Sequence, residues 1–198
     1  MGNSYRRNLS LWHNGTALSC ASGQDDLSII AGNTGVGYRT DDVGNTRSQA
    51  AAIQFSGSAY STSGYINSTN DIDMFRLNLS DRGRLTVNAV PYNVSSGFES
   101  ANIDIQVELT TQNGTVIRVF NPTSSVQAVA DTTLDAGTYF LRVSNVGNVN
   151  TTNYGMLGNY TISGSFQSGN ILPVYDLNLS ARIDNEKHQL YWNIIADE

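Results

Sequence analysis

Two acidic clusters hold the residue types best suited to chemistry in this chain: Asp41-Asp42-Val43-Gly44-Asn45 and Asn70-Asp71-Ile72-Asp73. Both supply carboxylate and amide oxygens, the hard ligands that calcium takes about six to eight at a time from adaptable loops. Asp71 and Asp73 are two positions apart, so in a strand they share one side. Like charges held together there are costly unless something positive joins them. Three readings fit these residues: Asx turns with solvent-facing carboxylates, a bound calcium, or a different cation. Other chemistries lack their residues. The sequence contains no His-Glu-x-x-His of a zinc protease and no Gly-x-Ser-x-Gly nucleophile elbow. His13 and His188 fall in different segments and read as surface residues. Cys20 is the one cysteine, so it makes no internal disulfide. It reads as a small apolar filler, because only His13 stands near it and nothing else there suggests a nucleophile site. The glycines from Gly32 to Gly37 lack the Lys-Ser/Thr end of a phosphate loop.

The elements that position the acidic clusters are strands. Ala50 to Phe55 reads as a first strand and Tyr65-Ile66 as a short one. Ile72 and Met74, then Leu77 and Leu79, make another, with Asp71 and Asp73 at its mouth. Leu85, Val87 and Ala89 alternate up to Pro91; Ile103, Ile105, Val107 and Leu109 alternate likewise. Asn113-Gly114 then predicts a hairpin into Val116–Phe120. Val126, Ala128 and Ala130 continue the series. Ala136-Gly137 turns the chain into Tyr139, Leu141 and Val143, and Gly155 to Gly158 leads into Tyr160, Ile162 and Gly164. Strands at this spacing, with no helix-period window, predict an all-β antiparallel β-sandwich, jelly-roll-like, over residues 39–168. Short segments flank it. Residues 1–38 have weak periodicity, with Asp25 to Ile30 a short strand or a turn of helix. Gly169-Asn170 breaks the pattern, and residues 171–198 read as a β-hairpin of a following module, joined by a turn at Asp184-Asn185-Glu186.

Composition narrows the partners. Charged residues make up 14% of the chain and the net charge is −6, with a sequence pI near 4.7. An acidic surface repels phosphate backbones, so no nucleic acid is expected. It tolerates or attracts divalent cations. No apolar run is long enough for a transmembrane helix, so no membrane partner is expected. Asn-x-Ser/Thr triplets such as Asn14, Asn67, Asn78, Asn113 and Asn159 are read as products of an Asn/Ser/Thr-rich composition rather than glycan acceptors. Met1-Gly2-Asn3 reads as an artificial start and the stop at Asp197-Glu198 as a cut from a longer protein. The chain is therefore expected to be a fragment without enzyme activity of its own.

Several separated motifs occur in an order that resembles the bacterial pre-peptidase C-terminal domain. They are Asp41-Asp42-Val43-Gly44-Asn45-Thr46, Asp71-Ile72-Asp73-Met74-Phe75, Ala101-Asn102-Ile103-Asp104-Ile105, Leu134-Asp135-Ala136-Gly137-Thr138-Tyr139 and Tyr154 to Gly164. Residues 3–40, with Leu11-Trp12, Gln24-Asp25-Asp26-Leu27 and Gly35-Val36-Gly37-Tyr38-Arg39, look like the tail of a reprolysin-like secreted zinc metalloprotease domain. Leu172-Pro173-Val174 with Leu190-Tyr191-Trp192 is similar to the opening of a β-module found before C-terminal sorting domains. The resemblance implies a secreted or cell-surface, non-catalytic accessory domain that assists export, folding or substrate contact. It implies the protein's own protease domain as partner, and a protein or polysaccharide matrix as a further one. Zinc is expected only in that separate catalytic domain. Collagen-binding modules of bacterial collagenases resemble this family in fold and hold calcium near the entry linker and an Asp-rich loop. On that pattern Asp41, Asp42, Asn45, Asn70, Asp71 and Asp73 are the calcium positions. The alternative is a carbohydrate- or matrix-binding β-sandwich whose exposed aromatics form the site.

Overall fold

The computed structural model describes residues 9–16, 23–33, 35–92, 101–149, 151–169, 174–184 and 187–196. The chain divides into two compact units, Met1–Ser168 and Gly169–Glu198. In chain order the first unit contains β1 (Asn14–Thr16), β2 (Gly23–Asp25), α1 (Asp26–Asn33), β3 (Ala51–Ala52), β4 (Phe55–Ser56), β5 (Ala59–Ile66), β6 (Ile72–Leu79), β7 (Gly83–Pro91), β8 (Ile105–Thr111), β9 (Val116–Phe120), β10 (Ala128–Leu134), β11 (Gly137–Asn145) and β12 (Gly158–Ser168). The second contains β13 (Val174–Asp184) and β14 (Lys187–Ala196).

The first unit is a sandwich of two five-stranded sheets, ordered β10-β7-β12-β5-β4 and β3-β6-β11-β8-β9. The fold is all-β, as the alternation predicts. Strand pairs are antiparallel except β3 with β6. Successive strands mostly cross from one sheet to the other; from β3 to β12 only the β4–β5 and β8–β9 connections stay within one sheet. Leu85, Val87 and Ala89 of β7, Tyr160 and Ile162 of β12, Phe75, Leu77 and Leu79 of β6, Ile105, Val107 and Leu109 of β8, and Leu141 and Val143 of β11 point inward and are buried. Each Val, Leu, Ile or Phe among them contributes roughly 1.5–3 kcal/mol of gross stabilisation. Asn113-Gly114 turns β8 into β9 as expected. The Gly114 N–H donates to the Thr111 carbonyl at 2.9 Å, and its φ of 91° lies where glycine is favoured.

Three boundaries differ from the pattern reading. Ala50 to Phe55 is two short strands in opposite sheets. The Ile53 N–H donates to the Arg76 carbonyl at 2.9 Å, after which the chain crosses over to pair Phe55 with Tyr60. Tyr65-Ile66 is only the end of β5, whose full length pairs with β12 from Ala59 to Ile66. Small residues on its core side, Thr62 and Gly64 between Tyr60 and Ile66, hide the alternation. In β6 the core side is Asp73, Phe75, Leu77 and Leu79, and Ile72 and Met74 face the other way. The apolar count ran across a change of phase there, because an acid occupies a core position.

The described residues of 9–16 and 23–33 lie against the sandwich. Leu9 bridges to Ala101, and the Ser10 N–H donates to the Ala101 carbonyl at 2.9 Å. The Tyr154 hydroxyl accepts the Leu27 N–H at 3.1 Å and donates to the Asp25 carboxylate. Asp25 also accepts the Ser28 N–H at 2.9 Å and so caps the start of α1. Cys20 lies outside the described residues.

The second unit is one antiparallel hairpin in which Leu179 pairs with Trp192 and Ala181 with Leu190. Asp184 and Lys187 close it; Asn185, Glu186 and Ile171-Leu172-Pro173 lie outside the described residues. Leu179, Leu190 and Trp192 are exposed. Among the described residues no helix is long and apolar enough to cross a membrane.

Candidate metal centre

The segment before β3 is laced across one end of the sandwich, and this lacing assembles the acidic residues. The Asn67 side-chain amide donates to the Arg39 carbonyl at 3.0 Å, and the Tyr65 hydroxyl donates to the Thr40 carbonyl. Asp41 opens an Asx turn, accepting the Val43 N–H at 3.2 Å. That turn drops Val43 into the core as a plug. The Gly44 carbonyl then accepts the Met74 N–H, and the Asn45 side-chain oxygen accepts the Ile72 N–H, each at 3.2 Å. Asp42 accepts the Tyr65 N–H at 3.3 Å. The entry segment is thereby fixed to both β5 and β6, one from each sheet.

Asp41, Asp42 and Asp73 each bring one carboxylate oxygen within 4.8 Å of the others. Two oxygens on one calcium, at about 2.3–2.6 Å each from the ion, lie at most about 5 Å apart, so the spacing fits a shared ion. Asp73 is fully buried at 0% exposure and Asp71 nearly so at 3%. The expectation of solvent-facing carboxylates is therefore wrong for these two: Asp73 sits in phase with Phe75, Leu77 and Leu79, on the core side of β6. The Asx-turn part of that reading does describe Asp41.

The buried acids are only half satisfied. One oxygen of Asp73 accepts the Tyr160 hydroxyl and one of Asp71 accepts the Asn67 N–H at 2.7 Å. The second oxygen of each, Oδ1, is buried with no hydrogen-bond partner. Burial pushes the Asp73 carboxyl up to about 8; the Tyr160 hydroxyl opposes this, and the charges of Asp71, Asp42 and Asp41 add to it. Burial likewise raises Asp71, against the Asn67 N–H, with Asp41 and Asp42 adding. It raises Asp42 as well. A buried carboxylate with an orphan oxygen stays charged only if a cation compensates it. The donor set, all oxygen and mostly carboxylate, is that of a hard divalent ion.

The six residues singled out in the sequence do not all converge. Asp41, Asp42 and Asp73 meet; Asp71 stands beside them and adds its field to theirs. Asn45 spends one lone pair tying down β6. Asn70 is exposed and, with Gln106, Arg142 and Asn145, lines a cavity of about 450 Å³, which Asp71 borders as well. Two residues that complete the site carry no acidic signal. Tyr160 holds Asp73 from the neighbouring sheet. Gly64 makes room for that contact, since a Cβ there would lie 2.5 Å from the Tyr160 hydroxyl and 2.7 Å from Asp73 Oδ2. A glycine inside a strand is itself a signal of close approach.

His13 and Asp104 belong to other parts of the first unit. His13 Nε2 lies 3.0 Å from the Gly15 carbonyl oxygen, within the β1 turn. Asp104 is buried beside β8; burial lifts its carboxyl to about 6, against a hydrogen bond from Asn148.

No protein-family model matches the chain, and no curated protein matches it. Among solved structures, it is similar to the pre-peptidase C-terminal domain of collagenase from Bacillus anthracis. The identity is 15%, the match covers 63% of this chain and 100% of that one, and the TM-score is 0.41.

Proposed function

We propose that this chain is a non-catalytic accessory domain of a secreted bacterial metalloprotease, assisting its export, folding or substrate contact. In it, calcium clamps the entry segment onto the sandwich. The observation that carries the clamp is the meeting of Asp41 and Asp42, from the entry segment, with the fully buried Asp73 of β6. An ion there ties whatever precedes residue 41 to the sandwich core. Such a link suits a module that must hold a fixed position relative to a neighbouring domain. Extracellular calcium near 10⁻³ M matches the affinity range of about 10⁻⁴–10⁻³ M typical of extracellular modules, so the clamp closes after export. The protease association is supported by the ordered motifs that resemble the pre-peptidase C-terminal family. Zinc belongs to the partner catalytic domain, because the sequence has no His-Glu-x-x-His.

The test has two arms. The purified chain incubated with casein and gelatin should show no cleavage, and metal-dependent proteolysis that copurifies with it would overturn the accessory assignment. Thermal melts in millimolar calcium against chelator should differ by a few degrees. Linkage gives about 1.4 kcal/mol at ten times the dissociation constant, spread over a domain of this size. Identical melts would overturn the clamp and leave the buried Asp73 held by a proton instead.

A further inference from the structure

A groove of about 610 Å³ crosses the outer face of the β10-β7-β12-β5-β4 sheet. Its floor is set by the strand alternation. Tyr160 and Ile162 point into the core, so Asn159 and Thr161 of β12 point out. Tyr65 of β5 pairs with Asn159, and the Tyr92 N–H donates to the Asn159 carbonyl at 2.8 Å. Tyr65, Asn159 and Tyr92 thus form one row across three strands, about 10 Å wide at two interstrand spacings. Tyr92 is 66% exposed at one end of the row. At the other end the Arg39 guanidinium lies 4.0 Å from the centre of the Tyr65 ring. This stacking holds the guanidinium at the rim.

The chemistry of the lining selects a ligand class. Arg39 and Asp42 are its only charged residues and they offset each other. An anionic ligand would also be repelled by the exposed Asp41 beside Asp42 and by the chain's net charge of −6. A purely apolar ligand would strand the hydroxyls and amide of the floor. Extended peptides bind sheets by adding a strand at a free edge. This groove lies over β12, which is paired on both sides, to β7 and β5, so no main-chain edge is available. What remains is a neutral ligand that brings many hydroxyls of its own and one flat C–H face.

We propose that this groove binds an uncharged oligosaccharide, with Tyr92 as the stacking platform and Asn159, Thr161, Asp42 and Arg39 as hydroxyl-binding groups. The proposal does not rest on the protease association; it shares one residue, Asp42, with the candidate metal centre.

Isothermal titration of the whole chain with cellohexaose and chitohexaose tests it, together with migration through gels containing hydroxyethyl cellulose or soluble xylan. Saturable binding or retardation is expected with at least one of these probes. Tyr92→Ala and Asn159→Ala replace exposed side chains, so their melting temperatures should match the parent. Tyr92→Ala should weaken binding roughly tenfold, at the upper end of what an aromatic stacking contact contributes. No binding to any of the four probes overturns the proposal. So does binding that neither variant weakens. So does saturable binding of a gelatin peptide that Tyr92→Ala abolishes, because the groove would then be a peptide site. Repeating the titration in chelator separates this groove from the metal centre: glycan binding that persists without any calcium-dependent melt supports the groove and sinks only the clamp.

Discussion

Asp73→Asn offers the sharpest test of the metal centre, because its predicted effect changes sign with conditions. The Asp73 carboxyl titrates near 8 in the folded chain against 3.8 for an ordinary aspartate. Its raised value means that the folded state binds this proton more tightly than the unfolded state does. The associated stability is fully present below about pH 3.8 and is lost as pH rises through 8. At about 1.36 kcal/mol per pH unit the full window amounts to roughly 5 kcal/mol, and water entry around the ionised group reduces the measured value to roughly 2–5 kcal/mol. Asparagine is nearly isosteric and never ionises. Its oxygen still accepts the Tyr160 hydroxyl, and its amide donates toward Asp41 or Asp42. In chelator at pH 8, Asp73→Asn should therefore be more stable than the parent by roughly 2–5 kcal/mol, and at pH 4.5 the two should differ by about 1 kcal/mol or less. In millimolar calcium the order narrows or reverses, because the parent gains an ion and the variant does not. Urea unfolding at both pH values, with and without calcium, reads all four corners. A variant that is less stable than the parent in chelator at pH 8 refutes the reasoning, since it would mean that the apo carboxylate is already satisfied.

Two further outcomes follow from the packing. Gly64→Ala drives a methyl between Tyr160 and Asp73. Overpacking and loss of their hydrogen bond should together cost about 2–5 kcal/mol and blunt the calcium response, as measured by urea unfolding and calcium titration. Asp104, away from the acidic cluster, titrates near 6 because of burial. With calcium present, the parent should lose on the order of 3 kcal/mol between about pH 4 and pH 6, and Asp104→Asn should remove that slope while leaving stability below pH 4 unchanged.

Much of the scaffold was legible in the residues because a two-residue period is a local property. The alternation in β7, β8, β11 and β12 gave the strands and their core sides, and Asn113-Gly114 gave a hairpin, without reference to any partner strand. The acidic clusters were visible as composition. Which acids meet was not, since a strand pattern records sidedness and not the neighbour across the sandwich. Asp73 looked like a mouth residue because an acid is assumed to seek water. Tertiary packing put it on the core side, where its charge must be held by a proton or a cation. Tyr160, more than eighty positions away, and Gly64, which has no side chain to notice, complete the site only because β5, β6 and β12 converge there. The sequence by itself determined an all-β chain with two oxygen-rich segments. Only the tertiary structure decided that three of those carboxylates share a space small enough for one ion, because burial and cross-sheet contact depend on distances that no local period encodes.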